Sequence, residues 1–222
     1  MNKKCPNCQL INFPNVEKCK RCESDLIEIS SIREKSKPPL KFQIIKRAVI
    51  CLAVCLFCIA GFYFSLVFSA KSLSYDEKES VNKAIAVLEQ KGFSDEVFLL
   101  RYLTVFRSND NWLNASTRFE NAYAATNFPF EILTIYPEYF TFPNDDTERA
   151  AILLHEAKHL QGADEKEAYE FVWKNRKKLG WTKEAYANSI VWRNVRKQTK
   201  EVAPNLFVCD INEYSDCTEN QE

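Results

Sequence analysis

The sequence HEAKH at 155–159 brings together residue types that can bind and use a catalytic metal ion. Residues i and i+4 lie one turn apart on the same face of an α-helix, so His155 and His159 can reach one ion. Glu156 lies beside them, where it can take a proton from water rather than bind the metal. The chain has only two histidines, and both are in this motif. The pattern therefore predicts a zinc site of the catalytic type.

Acidic residues follow the motif directly and supply candidates for a third metal ligand. Gly162 is a natural helix end, and after it come Asp164, Glu165, Glu167 and Glu170. Two neutral imidazoles and one carboxylate would leave zinc an open position for water, as in catalytic sites. The three glutamates remain alternatives for the ligand, and Glu167 also fits a capping box with Asp164.

A buried helix must carry the motif. Asp145 and Glu148 have the spacing of a capping box, which predicts a helix start. The apolar stretch Ala150–Leu154 just before the motif predicts that this helix is buried. A second helix is predicted over Glu165–Leu179, ending at Gly180.

The other elements of the C-terminal part predict an α+β fold. Hydrophobic periodicity favours an amphipathic helix in one segment, and alternation with β-branched residues favours a hairpin in another. The predicted elements are a helix over Ser74–Leu88, a helix or strand over Val97–Phe106, a hairpin over Asn121–Tyr139 with its turn at Asn127–Pro129, and a helix from Thr182 to about Lys200.

Four cysteines near the N-terminus, Cys5, Cys8, Cys19 and Cys22, have the spacing C-x2-C-x10-C-x2-C. Two close pairs can present four thiolates tetrahedrally, which suits a structural zinc ion. So short a segment has little apolar core, so metal binding would supply its folding free energy. The segment resembles bacterial zinc ribbons at the head of membrane proteins. It is also similar to the Ran-binding-protein-type zinc finger, with Asn12 at that family's Asn position.

An uncharged apolar run over Ala48–Ala70 predicts a membrane span. Its 23 residues would form a helix of about 34 Å, enough for a hydrocarbon core of about 30 Å. Lys and Arg precede the run, and Asp and Glu are frequent after it, so the positive-inside rule predicts a cytoplasmic N-terminus. The C-terminal domain would then be extracytoplasmic, where Cys209 and Cys217 could form a disulfide. A reversed topology would leave both cysteines reduced.

Residues 130–171 resemble the active-site core of the zincin metallopeptidases, in which a strand, an HExxH helix, a turn and a second helix build the zinc site. The resemblance implies that the two histidines bind zinc and that Glu156 is the general base. HEAKHLQGADE is similar to the metzincin spacing, and EKEAYEFV resembles the ligand helix of membrane gluzincins. Both select Glu165 as third ligand, whereas Glu167 matches the ligand position of phage-repressor-cleaving metallopeptidases.

The zincin resemblance also implies a mechanism. A zinc-bound water would attack the peptide carbonyl while Glu156 acts as general base, and zinc with a further polar side chain would stabilise the oxyanion. The strand Phe130–Ile135 is expected to align an extended peptide by edge pairing. Because no further histidine exists, the candidates for the oxyanion-stabilising side chain are Tyr136, Tyr139, Tyr169 and Tyr186.

The predicted organisation has four segments: a zinc ribbon over 1–27, a polar basic linker over 28–41 lying on anionic lipid, a transmembrane helix over 42–70, and a mostly helical zincin-like domain with a small sheet over 71–222. The expected function is a single-pass, membrane-anchored zinc metallopeptidase with a peptide or protein substrate. It would hold one structural and one catalytic zinc.

The alternative is a non-catalytic membrane sensor or adaptor. Its zinc ribbon would bind an unidentified cytoplasmic partner, and its outer domain would be a zincin-like scaffold. Charge argues against a protein that coats nucleic acid, because the formal net charge is zero. The net charge is distributed unevenly: residues 1–70 carry +6 (11 basic, 5 acidic), and residues 71–222 carry −6 (19 basic, 25 acidic).

Overall fold

The computed structural model describes residues 2–26, 40–113, 115 and 123–207. Contacts within the chain divide it into two compact units, Met1–Cys55 and Leu56–Glu222. Cys209 and Cys217 lie outside the described residues, as does most of the predicted linker, so the structure leaves both predictions untested.

The N-terminal segment folds around its cysteines. Strand β1 (Lys3–Lys4) pairs antiparallel with β2 (Ile11–Asn12). The only buried apolar side chains in described residues 2–26 are two cysteines and Leu26. So small a core cannot stabilise a fold by hydrophobic burial alone, which agrees with the expected dependence on a metal.

One long helix, α1 (Leu40–Ser69), contains the predicted span. The segment Lys41–Ser69 is long and apolar enough to cross a membrane, and most of it is exposed. An apolar helix with no buried face is unlike the core helix of a soluble protein. Its last turns differ, because Leu66 and Val67 are buried against Ile132 of the C-terminal part.

The C-terminal part is an α+β structure dominated by helices. The described elements after α1 are α2 (Tyr75–Gln90), α3 (Ser94–Phe98), a π-helical turn (Leu99–Leu103), β3 (Val105–Arg107), β4 (Ala124–Asn127), β5 (Ile132–Ile135), α4 (Pro137–Thr141), α5 (Asp146–Leu160), α6 (Glu165–Leu179), α7 (Lys183–Tyr186), α8 (Ile190–Val202) and a 3₁₀ turn (Pro204–Phe207). The ambiguous segment 97–106 thus contains both helix and strand.

The three-stranded sheet has the order β3-β5-β4. β5 lies in the centre, parallel to β3 and antiparallel to β4. The predicted hairpin is therefore present, although its second strand ends at Ile135 and α4 follows. The expectation that Phe130–Ile135 aligns a peptide by edge pairing is wrong, because both edges of β5 are already bonded to other strands. β3 and β4 are the edge strands of the described sheet.

Helix α5 lies at the centre of the domain. It packs against α2, α6 and β4, and Ala150–Leu154 is buried as predicted. Asp145 caps the helix through the backbone N–H groups of Thr147 and Glu148. The predicted capping box is only half formed, because the Glu148 carboxylate accepts from Asn144 N rather than from the cap residue.

The predicted helix from Thr182 to Lys200 is two helices, α7 and α8. Ser189 separates them because its hydroxyl accepts the backbone N–H of Trp192 and caps α8. The same hydroxyl donates to the buried Glu148 carboxylate, which also accepts from Trp181 Nε1. The break therefore connects α8 to the start of α5, and this contact between distant residues cannot be read from local periodicity.

Candidate metal centres

The four N-terminal cysteines converge as predicted. Their sulfur atoms all lie within 4.8 Å of one another. Sγ of Cys5 is 3.5 Å from that of Cys22, and Sγ of Cys8 is 3.4 Å from that of Cys19. Thiolates bound to one zinc at about 2.3 Å in a tetrahedron lie about 3.8 Å apart, so the cluster has nearly the dimensions of a four-cysteine zinc site.

Two matching turns present these cysteines. Cys5 O accepts from Gln9 N, and Cys19 O accepts from Glu23 N. Gln9 and Glu23, each just after the second cysteine of a pair, both have positive φ. Each Cys-x2-Cys pair therefore sits in the same tight turn, which explains why two sulfurs per pair point the same way.

Asn12 connects the two turns. Its buried side chain donates to Leu10 O and to Cys19 Sγ, and it accepts from Lys20 N. The backbone N–H of Arg21, together with Asn12 among other donors, lowers the pKa of the Cys19 thiol to about 6. A thiol held as thiolate is ready to bind a metal.

The HExxH motif of α5 and the start of α6 form a second cluster. His155 Nε2 and His159 Nε2 are 3.0 Å apart. The two carboxylate oxygens of Glu165 face one nitrogen each: Oε2 lies 3.4 Å from His155 Nε2, and Oε1 lies 3.4 Å from His159 Nε2. Ligand atoms about 2.0–2.1 Å from a tetrahedral zinc are about 3.3 Å apart, so the spacing of these three groups matches one ion. These residues could bind a metal.

The hydrogen bond of His159 sets the tautomer that a metal needs. Its Nδ1 is 2.9 Å from Ala163 O, and a carbonyl can only accept, so Nδ1 carries the proton. Nε2, which faces Glu165 and His155, is then the nitrogen that would bind a metal after losing its proton. Nδ1 of His155 is buried and has no hydrogen-bond partner among the described residues.

Charge and hydrogen bonding hold these three side chains together. Burial alone would lower the pKa of His159, but hydrogen bonds to Glu165 and Ala163 outweigh it and raise the pKa to about 9. Hydrogen bonds from His155 and His159 hold the pKa of the Glu165 carboxyl well below its usual range. An anionic carboxylate facing two imidazole nitrogens is an arrangement in which a cation can replace the proton.

Glu156 faces the same cleft but is separate from the three converging groups. It is largely buried, and its Oε2 accepts a 2.7 Å hydrogen bond from Thr126 Oγ1 on β4. That bond fixes one oxygen and leaves the other for a second partner. Thr126 was not identified from the sequence, because its contact depends on β4 lying beside α5.

The two other candidate ligands are engaged elsewhere. Glu167 forms the predicted capping box with Asp164, so its carboxylate bonds backbone N–H at the start of α6. Glu170 is paired with Lys174 at 2.7 Å. Of the three glutamates, only Glu165 lies beside the histidines.

Of the four candidate tyrosines, only Tyr169 lines the cleft. Its ring packs on His155 with centroids 4.2 Å apart, and its hydroxyl donates to Gln198. Burial, followed by the negative charges of Glu165 and Glu156, raises its pKa, so the hydroxyl stays protonated. The other three bond elsewhere or are fully buried: Tyr136 donates to Asp110, Tyr186 donates to Asp145, and Tyr139 is enclosed in the core.

A cleft of about 530 Å³ opens over the second cluster. One wall is β4 with Tyr123, which was not identified from the sequence, and the opposite wall is α8, with Val195, Gln198 and Glu201. His155, Glu156, His159 and Glu165 all line it. The cleft combines an apolar lining with a few convergent polar groups, which is typical of ligand sites.

Comparisons of the chain with protein-family models, curated proteins and solved structures found no match. No family match therefore supports the predicted membership of the zincins, and the zincin fold stays a prediction.

Proposed function

We propose that this chain is a membrane-anchored, zinc-dependent peptidase, with its catalytic site in the cleft between β4 and α8. The observation that carries the proposal is the convergence of His155 Nε2, His159 Nε2 and the Glu165 carboxylate, whose two oxygens lie 3.4 Å from one nitrogen each. Glu156 lies beside them and could transfer a proton. Among the described residues it accepts a hydrogen bond from Thr126 and forms no ion pair.

Each polar residue of the cleft has a separate role in this proposal. The two histidines and Glu165 would hold the zinc, which supplies a Lewis acid for the peptide carbonyl and lowers the pKa of water to about 7. Glu156, held at one oxygen by Thr126, would accept a proton from water and later deliver it to the leaving amine. Tyr169 keeps its proton and packs on His155, so it would donate to a developing oxyanion by exchanging its present hydrogen bond to Gln198.

Strand β4 supports a polypeptide substrate. It is an edge strand of the described sheet and forms a wall of the cleft beside Glu156. An extended peptide could add to this edge through backbone hydrogen bonds, and its side chains would then contact the apolar lining. This assigns to β4 the aligning role that the sequence favoured for Phe130–Ile135.

The proposal includes a second, structural zinc in the N-terminal ribbon. Four close thiol groups and no open ligand position are typical of structural rather than catalytic sites. The ribbon would present its exposed surface, including Ile11 and Phe13, to a protein partner.

The test is peptide hydrolysis by the full chain in lipid nanodiscs. Glu156→Gln should abolish hydrolysis while zinc content stays at two per chain, because the residue moves a proton and holds no metal. Glu184→Gln, at an exposed position in α7, is the matched control and should keep full activity. Zinc at both sites with no hydrolysis of any peptide by the wild-type chain would favour the non-catalytic sensor or adaptor.

A further inference from the structure

The end of α1 and the domain that follows it form one packed structure without a spacer. Leu66 and Val67 are buried with Ile132, and Arg107 Nε donates to Val67 O at 3.0 Å. Trp112 Nε1 donates to Ser65 Oγ at 3.2 Å. The domain therefore contacts α1 before its last turn and is not joined to it only at the C-terminal end of the helix.

Aromatic residues of the domain reach still further down the helix. Phe62 contacts Trp112 with ring centroids 5.5 Å apart and Phe130 at 5.2 Å. Phe130 belongs to the turn between β4 and β5. Near it, Phe128 is 60% exposed, and Trp112 is 47% exposed. The domain thus carries large, exposed aromatic side chains around the helix.

The length of α1 places these contacts at the membrane boundary. A hydrocarbon core of about 30 Å needs about 20 helical residues. Counted from Ala48, directly after Lys46 and Arg47, such a span ends at Val67. Phe62 then lies about 7 Å inside the boundary. If the helix is tilted, these contacts lie deeper in the membrane. Snorkelling of Lys46 and Arg47 shifts the calculated hydrocarbon boundary by only a few ångströms.

The same turn borders the cleft. Phe128 lines it, and the edge of the Phe128 ring would lie 3.8 Å from a Cβ placed on Gly162, directly after the metal-site helix. Tyr123 marks the other end of β4, roughly 16 Å away by strand rise, and packs against Phe142. One end of the cleft is therefore the end at which the domain contacts α1.

We propose that Trp112 and the turn 128–130 are embedded in the membrane interface, and that the cleft opens at the bilayer surface. The occupant of the exposed aromatic patch is lipid, because the patch is continuous with the span and because Trp and Phe favour this interface. The substrate class that follows is a polypeptide segment held at the same surface, such as the juxtamembrane part of another membrane protein. This substrate assignment rests on the proposed peptidase function.

The lipid contact is tested by tryptophan fluorescence of the full chain in nanodiscs containing brominated phosphatidylcholine. The other three tryptophans are buried in the core, so the difference between wild type and Trp112→Phe reports on Trp112 alone. Brominated lipid should remove most of this signal. In the Trp112→Phe background, Phe128→Trp should be quenched as well, whereas Phe142→Trp, 41% exposed at the other end of β4, should not.

Equal, weak quenching at 112, 128 and 142 would overturn the proposal and assign the patch to a protein partner. If Phe128→Trp or Phe142→Trp misfolds, quenching of the native Trp112 still tests the proposal. None of these readouts requires peptidase activity, so they separate the lipid contact from the proposed function.

The substrate class is tested with unstructured peptides tethered to a lipid headgroup, with cleavage read by mass spectrometry. One set has no spacer, and the other has a 20-residue Gly/Ser spacer that reaches about 25 Å on average. A cleft at the surface cleaves the spacerless set at least as fast as the other. Cleavage only with the long spacer would overturn the proposal. Cleavage of neither set, with Trp112 quenched, would contradict the peptidase function and the substrate class while the lipid contact stands.

Discussion

Removing the Glu165 carboxylate should take away the second zinc and leave the first. In Glu165→Ala the two imidazoles keep their positions on α5, but one of three ligands is lost. The other nearby acids do not replace it, because Glu156 is bonded to Thr126 and Glu167 caps α6. Loss of an outer-shell partner alone typically weakens metal affinity 10–100-fold. We therefore expect a loss of at least about 100-fold, or about 2.7 kcal/mol.

The assay uses the full chain in nanodiscs, with zinc content by mass spectrometry and affinity by competition with a chelating dye. Zinc should fall from two to one per chain in Glu165→Ala, with loss of all hydrolysis. Glu167→Ala is the matched control, two residues away on the same helix turn. It should keep two zincs and lose about 0.5–2 kcal/mol of stability, the typical effect of a lost cap interaction. The reverse result, with zinc lost in Glu167→Ala and kept in Glu165→Ala, would refute the ligand assignment.

Three further substitutions test other parts of the structure. Thr126→Val should lower kcat/KM about tenfold or more with zinc content unchanged, because Glu156 loses the hydrogen bond that fixes one of its oxygens. An unchanged rate and pH profile would contradict this role. Cys19→Ser should reduce zinc to one per chain and unfold the ribbon, with peptidase activity kept, as measured by zinc content and proteolysis of the N-terminal segment. Glu148→Ala should destabilise the domain by about 3 kcal/mol or more in denaturant titration, because it leaves two buried donors, Trp181 Nε1 and the Ser189 hydroxyl, without their acceptor. The exposed Glu138→Ala should have little effect.

Local sequence signals predicted the parts of the site that depend on one helix. The i, i+4 spacing placed both imidazoles on one face of α5, and helix ends at Gly162 and Gly180 were read from glycine alone. The choice between Glu165 and Glu167 was also partly local. The capping box with Asp164 occupies Glu167, which leaves Glu165 to face the histidines.

The remaining features depend on contacts between distant residues. The order β3-β5-β4 makes β4 an edge strand, and Thr126 on β4 contacts Glu156, 30 residues away. Ser189 divides the last predicted helix because it reaches Glu148, 41 residues away. The contact between Trp112 and the span joins residues 47 apart. None of these follows from composition, periodicity or spacing.

Diffraction at the zinc absorption edge tests the central claim most directly. Crystals of the zinc-loaded full chain should show an anomalous peak within about 2.0–2.2 Å of His155 Nε2, His159 Nε2 and one Glu165 oxygen. A second peak should lie among the four N-terminal sulfurs. A zinc-loaded crystal with the ribbon peak present and no density between the two imidazoles would contradict the account.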